Sequence, residues 1–300
     1  MRVRSLAKIN LHLRIGPVQA NGFHPLVSWM VTVGLFDTLD FSLDTAGRVA
    51  LRCSDPTLPC DESNLIVRAA RALQAEAYAL GGETPAAPPL PGADVRLTKV
   101  IPTGGGLGGG SSNAATTLAT LNDLWELSIS TQRLNEIAAG LGSDVPFFLS
   151  GSSSICTGRG EVVRPVDPPR ARWAVLMLPE MSMPTPAVYR QFDLSARSQD
   201  SAWDEAVDWT QWCSLSAEEL LRRLRNDLEP PAFNLRPDLG ALRSAVERSV
   251  SRPVRMSGSG STLFTLFDTR DEAERTAEEI HHRHAINTQA VKIAPEEVDG

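Results

Sequence analysis

The sequence predicts an α+β fold in two lobes, and three observations carry that prediction. Residues 3–15 alternate: Val3, Ser5, Ala7, Ile9, Leu11, Leu13 and Ile15 share one face, and Arg4, Leu6, Lys8, Asn10, His12 and Arg14 share the other. A period of two is that of a strand. Residues 95–121 read strand, glycine run, helix. From residue 239 onward the pattern is helix (239–248), strand (253–256), glycine loop (257–260), strand (261–267), helix (271–284) and strand (288–293), which suggests an α+β sandwich. Pro165, Pro168 and Pro169 mark a change of texture near residue 160. A lobe of residues 1–160 followed by one of 161–300 is therefore expected, and 300 residues suffice for two cores.

The remaining elements follow in order. The first strand is expected to be half-buried. Asn21-Gly22 is a turn signal, followed by a strand over Trp29 to Phe36 and a strand pair over 39–53. Asp61 to Asn64 precede a capped amphipathic helix that starts at Leu65. Residues 81–93 hold four prolines and three glycines and read as a loop, and Val95 to Val100 form a strand. After the glycine run a helix is expected from Asn113, with Ala114, Leu118, Leu121 and Trp125 on its inner face. Leu134 to Leu141 form another helix, and Ser143-Asp144-Val145-Pro146 opens a short one. Ala174 to Leu178 form a buried strand and Pro184-Thr185-Pro186 a rigid loop; residues 198–229 are polar and largely helical. Within them Trp203, Trp209 and Trp212 are expected to cover an apolar flank.

Bulk properties exclude several classes. The net charge of −7 argues against a general nucleic-acid binder, which needs a basic stripe, while leaving a phosphorylated small molecule possible. No apolar stretch is long enough to span a bilayer, and no apolar segment of the signal-peptide kind follows Met1, so a cytoplasmic location is expected. Cys53, Cys60, Cys156 and Cys213 read as free thiols. His281, His282 and His284 read as a solvated helix end with no partner ligand for a metal.

The most informative segment is Pro102-Thr103-Gly104-Gly105-Gly106-Leu107-Gly108-Gly109-Gly110-Ser111-Ser112. Six glycines in seven positions strip the side chains from a whole turn of backbone, so that its N–H groups can converge on one anion. The following helix aims its dipole at the same place. Gly104, Gly106 and Gly109 satisfy the dinucleotide pattern G-x-G-x-x-G, but Asp123 falls in or near the end of the helix rather than at the end of a second strand. A Walker A loop would end in Gly-Lys-Ser/Thr, and this one ends in Gly-Ser-Ser. The His-Arg-Asp and Asp-Phe-Gly elements of protein kinases are absent.

The remaining pattern, with its Ser-Ser-Asn-Ala-Ala continuation, resembles the phosphate loop of the superfamily that contains galactokinase, homoserine kinase and mevalonate kinase. Five further segments extend the resemblance. In chain order they are Ala7-Lys8-Ile9-Asn10-Leu11, Asn21-Gly22-Phe23-His24, Gly142 to Phe148, Pro184-Thr185-Pro186 and Ser257-Gly258-Ser259-Gly260. Together they are similar to the 4-diphosphocytidyl-2-C-methyl-D-erythritol kinases over about residues 4–268. Three segments depart from that pattern: the Gly16 to Asn21 turn, the Trp29 to Asp37 strand, and residues 84–93, which read as an insertion.

The resemblance implies an N-terminal lobe like ribosomal protein S5 domain 2, which binds ATP, and a C-terminal ferredoxin-like α/β sandwich lobe for substrate. It also implies ATP and Mg²⁺, and an acceptor that is a cytidine-diphosphate-linked polyol, phosphorylated at its 2-hydroxyl in non-mevalonate isoprenoid synthesis. By residue type Lys8 reads as part of a solvated strand face and Asp144 as a helix N-cap. The resemblance makes them the catalytic pair, Lys8 neutralising phosphoryl charge and Asp144 accepting the hydroxyl proton. It places Pro102 to Ser112 around the phosphates and Asn64 and Lys99 near adenine and ribose. Ser111 or Ser112 would touch phosphate or Mg²⁺, helix capping being the other reading. Asn10 would hold the polyol. Phe23 and Tyr189 would sandwich the cytosine while His24 bonds its edge, although either ring can equally be core packing. Thr185 would touch diphosphate or polyol. Gly258 and Ser259 form a second glycine loop on the substrate side, or a tight turn. Another kinase of the superfamily, or a non-catalytic nucleotide sensor on the same fold, are the competing readings.

Overall fold

A computed structural model describes residues 1–81, 91–195 and 202–296. Residues 84–90 of the expected insertion, and 198–201 of the polar segment, lie outside them.

Two sheets build the molecule. In the first, β1 (Arg2–Ile15) runs antiparallel to β2 (Leu26–Asp44) along nearly its whole length. The other edge of β2 is shared. β5 (Ser153–Thr157) pairs with Ser28 to Val31, and β4 (Gly92–Thr98) pairs with Thr38 to Asp44. β3 (Val49–Cys53) and β6 (Val162–Pro165) close the two ends. The second sheet is antiparallel, in the order β10 (Asn287–Lys292), β7 (Trp173–Leu178), β9 (Leu263–Phe267), β8 (Arg255–Met256). Helices precede β8 and β10 in the chain, so the strands read β-α-β-β-α-β in spatial order 4-1-3-2, the ferredoxin-like arrangement.

The helices cover the outer faces. α1 (Leu65–Gly81), α2 (Gly109–Leu124) and α3 (Thr131–Leu141) bury Leu73, Leu118 and Leu134 in one core with Leu39, Val95 and Leu97 of the first sheet. α9 (Pro237–Val250) and α10 (Arg270–His284) bury Leu239, Val246 and Ile280 against Val175 and Leu263. The core between the sheets is shared: Ala7, Ile9, Val31 and Val33 meet Leu176, Phe264, Leu266 and Val291. Trp209 and Trp212 pack on this core as the expected apolar cover, edge-on to His12.

Several expectations need correcting. β1 is not half-buried: Lys8, Asn10 and His12 are each 3% exposed, because helices cover one face and the second sheet the other. Residues 39–53 are not a strand pair. Leu39 to Asp44 end β2, and β3 lies beyond β4 and parallel to it, a non-local pairing that leaves no local pattern. α2 begins at Gly109 rather than at Asn113, so the end of the glycine run is the helix's first turn. Pro184 to Pro186 open a helix, α5 (Thr185–Asp193), since proline is tolerated in a first turn. The polar segment breaks into α6 (Trp209–Cys213), α7 (Ala217–Arg223) and α8 (Glu229–Leu235). α4 (Val145–Leu149) is the expected short helix. The four cysteines are free.

His12 is held neutral. Burial, reinforced by Arg14, Arg225 and Arg255, pushes its imidazole down to about 3, and its Nδ1 accepts the Arg225 N–H at 3.2 Å. The unfolded chain takes up this proton near pH 6.5, and the folded chain resists until about pH 3. Between those values the unfolded state binds more protons, so this contribution to stability is complete above pH 6.5 and is lost as pH falls. Urea midpoints at pH 7 and 4.5 should therefore differ less for His12→Gln than for wild type. Parallel pH dependences would contradict a buried neutral His12.

Candidate active site

A cavity of about 1250 Å³ opens along the glycine run, and strands of the first sheet, the α5 helix and the loop between β8 and β9 all contribute to its wall. The run is held by its carbonyls. Leu107 O accepts from Lys8 N at 2.9 Å, Gly106 O from Ser257 Oγ at 2.8 Å and Gly105 O from Thr262 N at 3.1 Å. These contacts need glycine. Gly106 sits at φ 76°, and a Cβ there would lie 2.2 Å from Ser257 O. At Gly108, φ 68°, a Cβ would lie 3.0 Å from the Lys8 side-chain stem. Thr103-Gly104 form a turn; beyond it no bond from the backbone N–H groups of Gly106 to Gly108 to a protein acceptor occurs among the described residues. Those of Gly109 to Ser111 open α2 and so lack intrahelical partners, and the same stretch lines the cavity. Carbonyls tied back with N–H groups left over is the polarity of an anion cradle, and the α2 dipole adds to it.

Behind the run lies a residue that the sequence reading missed. Asp37 is fully buried and accepts four hydrogen bonds. Val100 N and Ile101 N donate to Oδ1 at 2.7 and 2.8 Å; Lys99 Nζ and Asn113 Nδ2 donate to Oδ2 at 2.7 and 3.1 Å. One carboxylate thus joins the chain entering the run to the helix leaving it. Its only sequence signal is an acidic residue inside a long apolar strand.

The expected catalytic pair is assembled. Lys8 Nζ lies 3.3 Å from Asp144 Oδ2 and donates to Asn10 Oδ1 at 2.5 Å. The lysine side chain is buried and the carboxylate partly open to the cavity. Asp144 occupies the N-cap position of α4, but its side chain makes no capping bond, so its capping reading is not realised. Asn10 N donates to Ser257 Oγ at 3.2 Å, and a Cβ on Gly258 would lie 3.1 Å from Asn10 Oδ1. Thr185 and Ser259 hydroxyls meet at 2.9 Å on the same wall. The second glycine loop is a turn between the antiparallel β8 and β9, and its Gly258 and Ser259 line the cavity. A further residue outside the expectations, Asn226, fixes it by donating Nδ2 to Met256 O and Gly258 O at 2.8 and 2.7 Å.

Other expected site residues stand differently. Pro102 and Thr103 line the cavity with Gly104 to Ser111, but Ser112 does not: it is buried and its Oγ accepts from Ser5 Oγ at 2.7 Å. Helix geometry turns only one of two adjacent serines outward. Lys99 lies on the wall with its ammonium committed to Asp37 and to Ile101 O. Asn64 also lines the wall, with Oδ1 accepting from Ile66 N and Nδ2 donating to Pro59 O, so its amide fixes the start of α1. His24 Nδ1 lies 2.8 Å from Gly16 O and Nε2 2.9 Å from Asp193 Oδ1. Its ring is 5.6 Å from that of Tyr189. Burial, and then Asp144, pushes the Tyr189 hydroxyl up to about 12, so it stays protonated. Phe23 is half exposed, with the Arg159 guanidinium 5.0 Å from its ring centre. His281 Nδ1 and His284 Nε2 meet Ile286 O and Ser249 Oγ, and no metal-holding cluster occurs among the described residues.

This fold and site define a GHMP kinase. Residues 64–152 match the model of the GHMP kinases N terminal domain, and 213–286 match that of the GHMP kinases C terminal domain. A 4-diphosphocytidyl-2-C-methyl-D-erythritol kinase of Synechococcus sp. (strain CC9605) is 38% identical over 276 residues, covering 88% of this chain and 87% of that protein. One from Desulfotalea psychrophila (strain LSv54 / DSM 12343) is 35% identical over 89% of this chain and 85% of its own. The crystal structure of a 4-(cytidine 5'-diphospho)-2C-methyl-D-erythritol kinase matches with a TM-score of 0.76 at 32% identity, covering 99% of this chain and 100% of that one. The chain belongs to the 4-diphosphocytidyl-2-C-methyl-D-erythritol kinase family. No helix among the described residues is long and apolar enough to cross a membrane.

Asp37→Asn should test the anchoring carboxylate. It leaves the Lys99 ammonium buried without a counter-charge and an amide N–H₂ facing other donors. Breaking a buried pair from one side costs about 3–5 kcal/mol. Urea denaturation should show a loss of that order, with ATP affinity at least tenfold weaker. Wild-type values for both would remove Asp37 from its anchoring role.

Proposed function

We propose that this chain transfers the γ-phosphoryl group of ATP to the 2-hydroxyl of 4-diphosphocytidyl-2-C-methyl-D-erythritol, in non-mevalonate isoprenoid synthesis. The observation that carries the proposal is a tethered glycine run with free N–H groups beside the Lys8–Asp144 pair, in one cavity. The relatives' names supply the acceptor. The ATP-binding lobe is residues 1–160 and the second lobe 161–300. Both supply acceptor contacts, since Asn10 and Phe23 precede the boundary and Thr185 follows it.

The glycine run from Pro102 to Ser111 holds the phosphates, with adenine and ribose toward Asn64 and Lys99. Phe23 and Tyr189 stack the cytosine. A ring bond from His24 to the base edge would displace Asp193 from Nε2, the ring atom nearest the cavity helix α5. Thr185, Gly258 and Ser259 line the path of the diphosphate and polyol, and Asn10 bonds the polyol. Lys8 neutralises charge that develops on the phosphoryl oxygens, and Asp144 orients the 2-hydroxyl and takes its proton. In a loose transition state the orienting role carries more of the rate. The site fits Mg²⁺, which keeps few protein ligands when it binds nucleotide phosphates: the Ser111 hydroxyl is an oxygen on the cavity wall at the start of α2. Mg²⁺ bound there would neutralise phosphate charge.

ADP release from ATP and Mg²⁺ should occur with the cytidyl-methylerythritol acceptor and stay at background with mevalonate, homoserine or galactose. Turnover confined to one of the latter three would refute the acceptor. Asp144→Ala should lower turnover at least tenfold while ATP still binds. An unchanged rate would take Asp144 out of the reaction.

A further inference from the structure

We infer that Ser28 is a positioning residue for phosphoryl transfer, acting through Asn10 on the Lys8 ammonium. The inference rests on the role proposed above for Lys8. Ser28 lies on β2, fully buried and set back from the cavity, so it cannot touch nucleotide or acceptor.

A count of protons fixes the orientation of the Asn10 amide. Ser28 has one hydroxyl hydrogen, and its Oγ lies 2.9 Å from His12 O, which can only accept. That hydrogen is therefore spent on His12. The second partner of Ser28 Oγ is the Asn10 side-chain amide, 2.8 Å away. With its hydrogen used, Ser28 can only accept there, so the Asn10 atom facing it must be the NH₂ group. The oxygen of Asn10 must then face Lys8 Nζ, 2.5 Å away. An ammonium has three donors and no acceptor, so it demands that same orientation. With the amide turned over, NH₂ would meet ammonium at one end and oxygen would meet a serine lone pair at the other. The amide orientation, ordinarily ambiguous, is fixed from both sides.

Backbone geometry brings the chain of bonds together. Between Asn10 and His12 the β1–β2 register shifts by one residue, so that Leu11 has no partner on β2. Bulges re-aim side chains beside functional sites. Here the bulge lies between the asparagine that Ser28 bonds through its lone pair and the histidine carbonyl that it bonds through its hydrogen. His12 is itself fixed by Arg225 N, and Trp209 and Trp212 cover it. The Lys8 ammonium is thus held by a line of hydrogen bonds running away from the cavity through Asn10 and Ser28 to the β1 main chain. Without Ser28, the Asn10 amide is held from one side only, by the very ammonium that it positions. The remaining fixed partner of the ammonium is then Asp144, a carboxylate that must turn to the acceptor hydroxyl during turnover.

A double-mutant cycle tests this, with kcat and KM measured separately for ATP and the cytidyl-methylerythritol acceptor. Ser28→Ala should lower kcat about tenfold with KM for ATP within twofold of wild type. In an Asn10→Ala background the same change should have no further effect on kcat, because Ser28 acts only through Asn10. Full persistence of the effect in that background, or a wild-type kcat for Ser28→Ala, would overturn the inference. A loss confined to thermal stability and KM for ATP would also overturn it. If the alanine variant does not fold, Ser28→Cys carries the same expectation at nearly the same volume. Lys8→Met, measured alongside, separates the two levels. If its turnover is unchanged, the role of Lys8 itself fails; if it is inactive while Ser28→Ala is normal, only the positioning role fails.

Discussion

The site depends on one buried carboxylate. Asp37 offers two oxygens to four donors, and those donors come from both ends of the glycine run. Such a run has little preference of its own, since glycine loses more conformational freedom on folding than any other residue. The loop's shape must therefore be imposed from outside. Asp37 fixes its entry and its exit; the carbonyl bonds to Lys8 N, Ser257 Oγ and Thr262 N fix its middle. The last two come from the second sheet's glycine loop and its flank. The proposed nucleotide cradle and the junction between the two sheets are therefore the same structure.

The same economy governs the Lys8 side of the cavity. β1 is buried on both faces, so each polar group that it carries needs a partner. Lys8 finds Asn10 and Asp144, Asn10 finds Ser28 and Ser257, and His12 finds Arg225 N. These pairings leave little slack in the position of the lysine ammonium. Preorganised charge of this kind stabilises a transition state without reorganisation at the moment of reaction. The core shared by the two sheets holds Ala7 and Ile9, the neighbours of Lys8, in place from the opposite side.

Much of this was legible in the sequence, and the losses have identifiable causes. The two glycine loops stood out because each is a local pattern of unusual composition, whereas Lys8, Asp144 and Asn10 were singled out only by the family resemblance, since by residue type Lys8 reads as a solvated strand face and Asp144 as a helix N-cap. The α+β sandwich of the tail was legible because its helices and strands alternate cleanly. The place of β3 beyond β4 was missed because pairing between distant strands leaves no trace in either one. β5 and β6 were missed because they are short and carry little apolar alternation. Asp37, Ser28 and Asn226 were missed for a different reason. Single polar residues in otherwise ordinary segments acquire meaning only from what the fold places opposite them. Ser112 shows the converse: motif position alone put it on the phosphate, and helix phase turned it toward Ser5.

The central claim is that the backbone N–H groups of the glycine run are the phosphate-binding donors. Amide ¹⁵N–¹H spectra recorded during titration with a non-hydrolysable ATP analogue and Mg²⁺ address it directly. The account predicts that the amides of Gly104 to Gly110 show the largest shifts and saturate together with binding. Saturable binding of the analogue with those glycine amides unmoved would contradict it.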